Sequence, residues 1–123
     1  YFPRDPSVVY TFPIGTGVLT STTPIGHTVV AAKEPHPTWW PTASIRTSEP
    51  DLPAAVPPGP DNPLGDLALH LGWPDYLIHG TNKPDGVGRD VSHGCIRLYP
   101  DNGKIFNRLV REYGVKDVWV TVD

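Results

Sequence analysis

A single cysteine in 123 residues rules out an internal disulfide framework, and 10 Lys and Arg against 13 Asp and Glu leave no basic run suited to a phosphate backbone. Nucleic acid is therefore not an expected partner. One free thiol does not fix the redox compartment, since a secreted enzyme can carry one. No stretch approaches the roughly 20 apolar residues of a membrane span, and "YFPRDPSVVYTFPIG" lacks a basic start leading into an apolar run. Any export signal or anchor is expected outside this segment. The length suits one domain with one core.

What the chain has in abundance is proline, 16 residues, with 12 glycines, so much of the backbone is expected in turns, strand ends and fixed loops. "SVVYTFPIG" predicts a strand from Val8 to Phe12 ending at Pro13, with Gly15 and Gly17 in a turn. "TPIGHTVVAA" predicts a turn at Thr23 to Gly26 and a strand over Thr28 to Val30. From Lys33 to Gly65 periodicity is lost, and six prolines fall between Glu49 and Gly65. A loop of that length in a small domain commonly shapes a binding cleft, whether ordered or flexible. Near its start Trp39, Trp40 and Arg46 are candidates to line a peptide-sized groove; the plain alternative is one tryptophan in the core and one half exposed.

"LALHLG" alternates Leu67, Leu69 and Leu71 against Ala68 and His70, and "DYLIHG" is a short strand that puts His79 at its mouth. Ile105, Phe106, Leu109, Val110 and Tyr113 form one stripe, predicting a helix over Asp101 to Tyr113 with Asp101 as cap and Gly114 as stop. Val118, Val120 and Val122 alternate in a closing strand. Strands, a long loop, more strands, one helix and a last strand predict a mainly β fold, a sandwich or distorted barrel with the helix packed at its edge.

Cys95 sits in "VSHGCIRL" among small and polar residues. A lone cysteine is more often core than reactive, but glycine before it permits close backbone approach, and the N–H groups of Gly94 and Cys95 can converge as an oxyanion site. A thiol nucleophile needs a base. His93 is two positions away and His79 sixteen, across a Pro- and Gly-punctuated loop; His79 is the better candidate because the loop can return the two strand ends to one place. Its other ring nitrogen needs an acceptor: Asp85, Asp90 or a backbone carbonyl such as that of Gly80. Arg97 alternates with Cys95 and can clamp a carboxylate, or pair structurally with Asp90 or Asp101. Ser92 can brace the turn. A zinc site from His79, His93 and Cys95 with His70 or Asp90 is the metal alternative, and it lacks the compact paired spacing such sites use.

"IHGTN" followed by "SHGCIRL", with "TPIG" and "PTWWPTASIR" upstream, resembles the L,D-transpeptidase catalytic domain, the YkuD-like family, in its Gram-negative periplasmic branch. The resemblance runs over residues 1–123 as one catalytic domain. It implies a β-sandwich of mixed sheets with a helix, Cys95 as nucleophile, His79 as base oriented by the carbonyl of Gly80, Ser92, His93 and Gly94 holding the thiol loop, and Arg97 near substrate. It further implies peptidoglycan stem peptides as substrates, a thioester intermediate, a carbapenem-sensitive thiol, and a place in the periplasm or cell envelope in cell-wall biogenesis and cell shape. Neither metal nor organic cofactor is implied. The acceptor is left open between another stem's amine, an outer-membrane lipoprotein lysine and water. Relatives generally open with a further strand before a "YYFP" type of sequence, so one more N-terminal strand is expected beyond "YFPRDP". A non-catalytic wall-binding module using the tryptophan loop is the alternative of a different class.

Overall fold

The computed structural model describes Ser7 and residues 9–123. Seven strands form one mixed sheet: β1 (Ile14–Gly17), β2 (Gly26–Pro35), β3 (Leu67–Leu71), β4 (Leu77–His79), β5 (Asp90–Ser92), β6 (Ile96–Leu98) and β7 (Trp119–Val122), in the order β5-β1-β6-β4-β3-β2-β7. The mainly β class holds. The expected sandwich does not, because the sheet curls into a half-barrel instead of splitting into two layers. The cause lies in β2, whose first half pairs with β7 through Gly26 to Val29 and whose second half pairs with β3 from Val30 on, with a register shift between Val30 and Ala32. Such a break in register bends a strand and adds twist, so the sheet wraps.

Among the described residues two α-helices are present where one was expected. α1 (Ala43–Ser48) falls inside the long loop; it is a short surface helix with no buried residue, started by Thr42, whose side chain accepts from the N–H of Ile45. Without an apolar face it left no periodic signal. α2 (Pro100–Tyr113) matches the predicted stripe, and Gly114 ends it at φ 82°. Its start differs: Tyr99 occupies the cap position with no side-chain bond, Pro100 fills the first helical position, and Asp101 contributes its charge in the first turn instead of capping.

The core gathers Val30, Leu67, Leu69, Leu71, Ile78, Ile96, Leu98, Val110 and Val118, with Phe12 and Phe106 packed edge to face against its margin at 6.2 Å. Ala68 is as buried as the leucines around it, since β3 is central and covered on both faces. Val120 and Val122 pack partly buried against the core while Trp119 faces out, as the alternation predicts.

The predicted strand at Val8 to Phe12 is displaced. Val8 and the stretch 1–6 lie outside the described residues, Val9 to Phe12 form no strand, and pairing begins after Pro13, in the glycine-bearing segment expected to turn. Close packing explains it: a Cβ on Gly17 would lie 2.2 Å from the carbonyl oxygen of Ser21 and 2.8 Å from Cα of Gly94. Only glycine lets β1 approach those backbones.

The proline-rich loop is ordered. Asn62, 0% exposed, has its Nδ2 within donor reach of the carbonyls of Pro37, Val56 and Pro57 at 2.8, 3.1 and 3.2 Å, and its Oδ1 accepts from the N–H of Leu64 at 2.9 Å. One buried amide thus ties both arms of the excursion together, reaching the carbonyls of Pro37 and Pro57 and adding a second donor to that of Val56, which also accepts from the N–H of Trp39.

Candidate active site

Parallel pairing of β4 and β6 builds the site. Ile78 is level with Ile96 and His79 with Arg97, so Cys95, just before β6, comes level with Leu77. Alternation sends Ile78, Ile96 and Leu98 into the core and leaves Leu77, His79, Cys95 and Arg97 on the opposite face. The sixteen-residue interval therefore returns Cys95 to within two strand positions of His79. On its other side His79 is level with Ala68.

His79 is 5% exposed, and its Nδ1 is hydrogen-bonded to the carbonyl of Gly80. A carbonyl only accepts, so Nδ1 carries the proton and Nε2 is the basic nitrogen. Among the acceptors considered from the sequence, the Gly80 carbonyl fills the role; the side chain of Asp90 lies outside the described residues. Burial lowers the His79 pKa from 6.5 to about 4, with the Arg97 charge adding to the fall and the Gly80 bond opposing it. The ring is neutral at pH 7.

Cys95 is half-buried, with Sγ 3.8 Å from the carbonyl oxygen of Asp75. Burial pushes its thiol pKa up, opposed by a backbone hydrogen bond of Leu77 and the charge of Arg97, while Asp75 pushes it further up. Arg97 acts electrostatically on both partners, and its Nε is buried with no hydrogen-bond partner among the described residues. Burial lowers its own pKa, with Cys95 opposing.

The thiol loop is held from both sides. Ser92, 2% exposed, donates from Oγ to the carbonyl of Cys95 at 2.6 Å and accepts from the N–H of Gly94 at 3.1 Å. That second bond corrects the oxyanion expectation, since the Gly94 N–H is already engaged by Ser92. Gly94 is required by conformation and space alike: its φ is 113°, and a Cβ would meet the Tyr76 ring at 2.5 Å. His93 is exposed, and its carbonyl accepts from Ser21 Oγ at 2.9 Å. Thr23 Oγ1 donates to the carbonyl of Gly94 at 2.8 Å and accepts from the N–H of Gly17 at 3.2 Å.

Sequence reasoning missed Ser21, Thr23, Asp75 and Tyr76 as parts of this loop's support. Ser21 and Thr23 lie about seventy residues from their partners, and local pattern carries no trace of such contacts. Trp39 is tied to Val56 by a backbone bridge, and Trp40 is 68% exposed; no hydrogen bond or strand register joins either to Cys95 or His79 among the described residues. His70 is paired with Glu34 at 2.9 Å. No group of three or more His, Cys, Asp or Glu among the described residues is arranged to hold a metal, so the zinc alternative is not assembled there.

The sequence profile of the YkuD family, the L,D-transpeptidase catalytic domain, matches residues 1–120. The chain belongs to this family. Among curated L,D-transpeptidases, the probable enzyme YbiS of Escherichia coli (strain K12) is 48% identical over 103 residues, 80% of this chain and 33% of that protein. The probable L,D-transpeptidase YcfS of the same organism is 45% identical over 112 residues, 85% and 35% respectively. This L,D-transpeptidase domain thus spans about a third of the length of those relatives. In three dimensions it is similar to the catalytic domain of an E. faecium L,D-transpeptidase acylated by ertapenem, with a TM-score of 0.66, 25% identity, and coverage of 97% of this chain and 84% of that one. The fold also matches an L,D-transpeptidase from Mycobacterium smegmatis at a TM-score of 0.67 and 24% identity, covering 97% and 51%. No helix among the described residues is long and apolar enough to cross a membrane.

Proposed function

We propose that this domain is a cysteine L,D-transpeptidase of the periplasm or cell envelope that uses peptidoglycan tetrapeptide stems as acyl donors. The observation that carries the proposal is the shared face of β4 and β6, which sets a half-buried thiol two strand positions from a buried neutral imidazole whose Nδ1 is fixed by a carbonyl. In the first step Nε2 of His79 takes the thiol proton as Sγ of Cys95 attacks the carbonyl of the L-centre of diaminopimelate. The C–S bond forms, the amide C–N bond breaks, and the proton passes from His79 to the leaving amine of D-Ala. In the second step His79 takes a proton from an incoming amine, the new C–N bond forms, the thioester C–S bond breaks, and the proton passes from His79 to the departing sulfur, which regenerates the thiol. A thiol with a raised pKa and an imidazole with a lowered one make this a base-assisted attack from a neutral pair, not from a standing ion pair.

Ser92 and Gly94 hold the loop that aims the sulfur, and His93 anchors it through its carbonyl. Arg97, with an unpartnered buried Nε, offers a donor to a carboxylate of the stem. Trp39 and Trp40 are proposed as peripheral contacts for the stem or glycan. The acceptor proposed is the side-chain amine of a second stem's diaminopimelate, giving a 3-3 cross-link; transfer to an outer-membrane lipoprotein lysine, or to water as a carboxypeptidase, uses the same thioester. Thiol and imidazole supply nucleophile and base, so the reaction needs no metal or organic cofactor.

The test is intact-mass spectrometry of the domain with a defined tetrapeptide donor and, separately, a carbapenem. The expected result is a covalent adduct on the unmodified domain and none on Cys95→Ala, with both showing the same circular dichroism. Competition among stem amine, lipoprotein lysine and water then ranks the acceptors. Equal saccule binding by both proteins, with no adduct on either, would leave a wall-binding module and sink the enzymatic reading.

A further inference from the structure

β1 and β6 exchange backbone hydrogen bonds through Gly15 and Arg97, because Ile14 and Thr16 turn theirs the other way: the Ile14 carbonyl accepts from the N–H of Gly88 at 2.8 Å, and the Thr16 N–H donates to the carbonyl of Arg89 at 3.1 Å. Continued to the next rung, this ladder would pair Gly17 with Cys95 and consume the Cys95 N–H. It stops short of that rung. The Gly17 N–H donates to Thr23 Oγ1 at 3.2 Å, and the Cys95 carbonyl accepts from Ser92 Oγ at 2.6 Å. Two hydroxyls thus take the Gly17 donor and the Cys95 acceptor that would have closed it.

Thr23 does more than interrupt the ladder. Its Oγ1 also donates to the Gly94 carbonyl at 2.8 Å, and its bond from Gly17 puts that hydroxyl on the β1 side of the thiol loop. In a regular continuation of β6 the Gly94 carbonyl would face β4 instead, so the Gly94–Cys95 peptide is turned over. The described peptide bonds are all trans, so the C=O and N–H of that peptide point in opposite directions. With its carbonyl drawn to Thr23, this peptide aims the Cys95 N–H away from β1. No acceptor takes that N–H among the described residues, and it belongs to the same residue as the sulfur. Gly94, at φ 113°, is the hinge that permits the turned-over peptide, and the Thr23 hydroxyl holds it there.

We propose, resting on the cysteine chemistry above, that Thr23 is a positioning residue for acyl transfer: its hydroxyl latches the Gly94–Cys95 peptide so that the Cys95 N–H donates to the carbonyl oxygen of the acyl donor. When Sγ attacks, the C–S bond forms and the carbonyl π pair moves onto oxygen; on collapse the pair returns and the amide C–N bond breaks. The Gly94 N–H is spent on Ser92, which leaves the Cys95 N–H as the donor of the Gly94–Cys95 pair for that oxygen. Freed from the latch, a peptide hinged on glycine can rotate and carry the donor away.

Thr23→Val keeps the branched shape and removes both bonds, whereas Thr23→Ser keeps the hydroxyl. Carbapenem acylation over a concentration series separates the saturating rate from the concentration for half-saturation. Outright loss of an oxyanion donor costs about 10²–10³ in rate, so Thr23→Val should lower the saturating rate about tenfold or more while the half-saturating concentration changes less than about threefold. Thr23→Ser should recover most of that rate. Iodoacetamide alkylation of Cys95 is the discriminating arm, since displacement at a saturated carbon builds no oxyanion: its rate and pH profile should be the same in all three proteins. In the ¹⁵N-labelled unmodified domain the Cys95 amide proton should move downfield on acylation, a readout that needs no variant. The proposal is overturned if Thr23→Val acylates at the unmodified rate, or if the Cys95 amide proton does not move downfield. It is equally overturned if alkylation falls in parallel with acylation, which would mark Thr23 as general support of the loop. An unmodified domain that forms no adduct at all overturns the cysteine chemistry, and the role of Thr23 with it.

Discussion

Acidification should destabilise this domain through His79 in particular, and the size of the effect follows from its burial. In the unfolded chain the imidazole titrates near 6.5, whereas in the folded domain burial holds it at about 4. Between those values the unfolded chain binds a proton that the folded one refuses, so stability falls as pH drops through that window and the contribution levels off below about 4. At about 1.4 kcal/mol per tenfold in the proton equilibrium, the limit is about 3 kcal/mol, most of it already lost at pH 4.5. The measurement is a difference, which isolates His79 from every other ionisable group: guanidinium unfolding of the unmodified domain and of His79→Gln from pH 8 to 4.5. Glutamine can still donate to the Gly80 carbonyl but cannot take a proton. The unmodified domain should lose about 2–3 kcal/mol relative to the variant across that range. A flat difference would refute the reasoning, and a gain on acidification would show that the folded domain holds a charged imidazole, as a standing thiolate–imidazolium pair requires.

Ser92→Ala leaves the Gly94 N–H and the Cys95 carbonyl without their shared partner, and should cost about 1–3 kcal/mol in urea unfolding and slow carbapenem acylation. Arg97→Met removes a positive charge that favours thiolate at Cys95 and disfavours imidazolium at His79, so the alkaline limb of iodoacetamide alkylation should move to higher pH. Leu69→Ala, at a position 0% exposed in the interior strand β3, should cost about 2–5 kcal/mol by thermal or denaturant unfolding while leaving the alkylation profile of surviving folded protein unchanged.

The parts of the site that were legible in the sequence are those in which chemistry and local pattern coincide. "IHGTN" and "SHGC" mark strand ends carrying an imidazole and a thiol, and α2 shows itself by its stripe, so these elements were placed within a residue or two. β1 was misplaced because its glycines carry two opposite signals: they suit a turn, and they suit a strand pressed against other backbones. α1 was missed because it buries nothing and owes its existence to a capping threonine. The layer architecture was misjudged because the curl arises from one register shift inside β2, which follows from how two partners divide a ten-residue strand. Asn62 was equally silent, since a buried asparagine that organises a loop looks like any turn asparagine until its carbonyl partners are in space.

The clamp on the thiol loop has a consequence in time as well as in space. Ser21 and Thr23 reach carbonyls of residues about seventy positions away, and β1 joins the loop across a similar interval. Contacts so distant along the chain form late, after the intervening strands have found their places. Until then Cys95 is an ordinary cysteine on an unrestrained segment, with no imidazole held beside it. On the proposed mechanism, a chain whose sheet is incomplete would carry Cys95 in a dormant form, and completion of the sheet would switch the chemistry on.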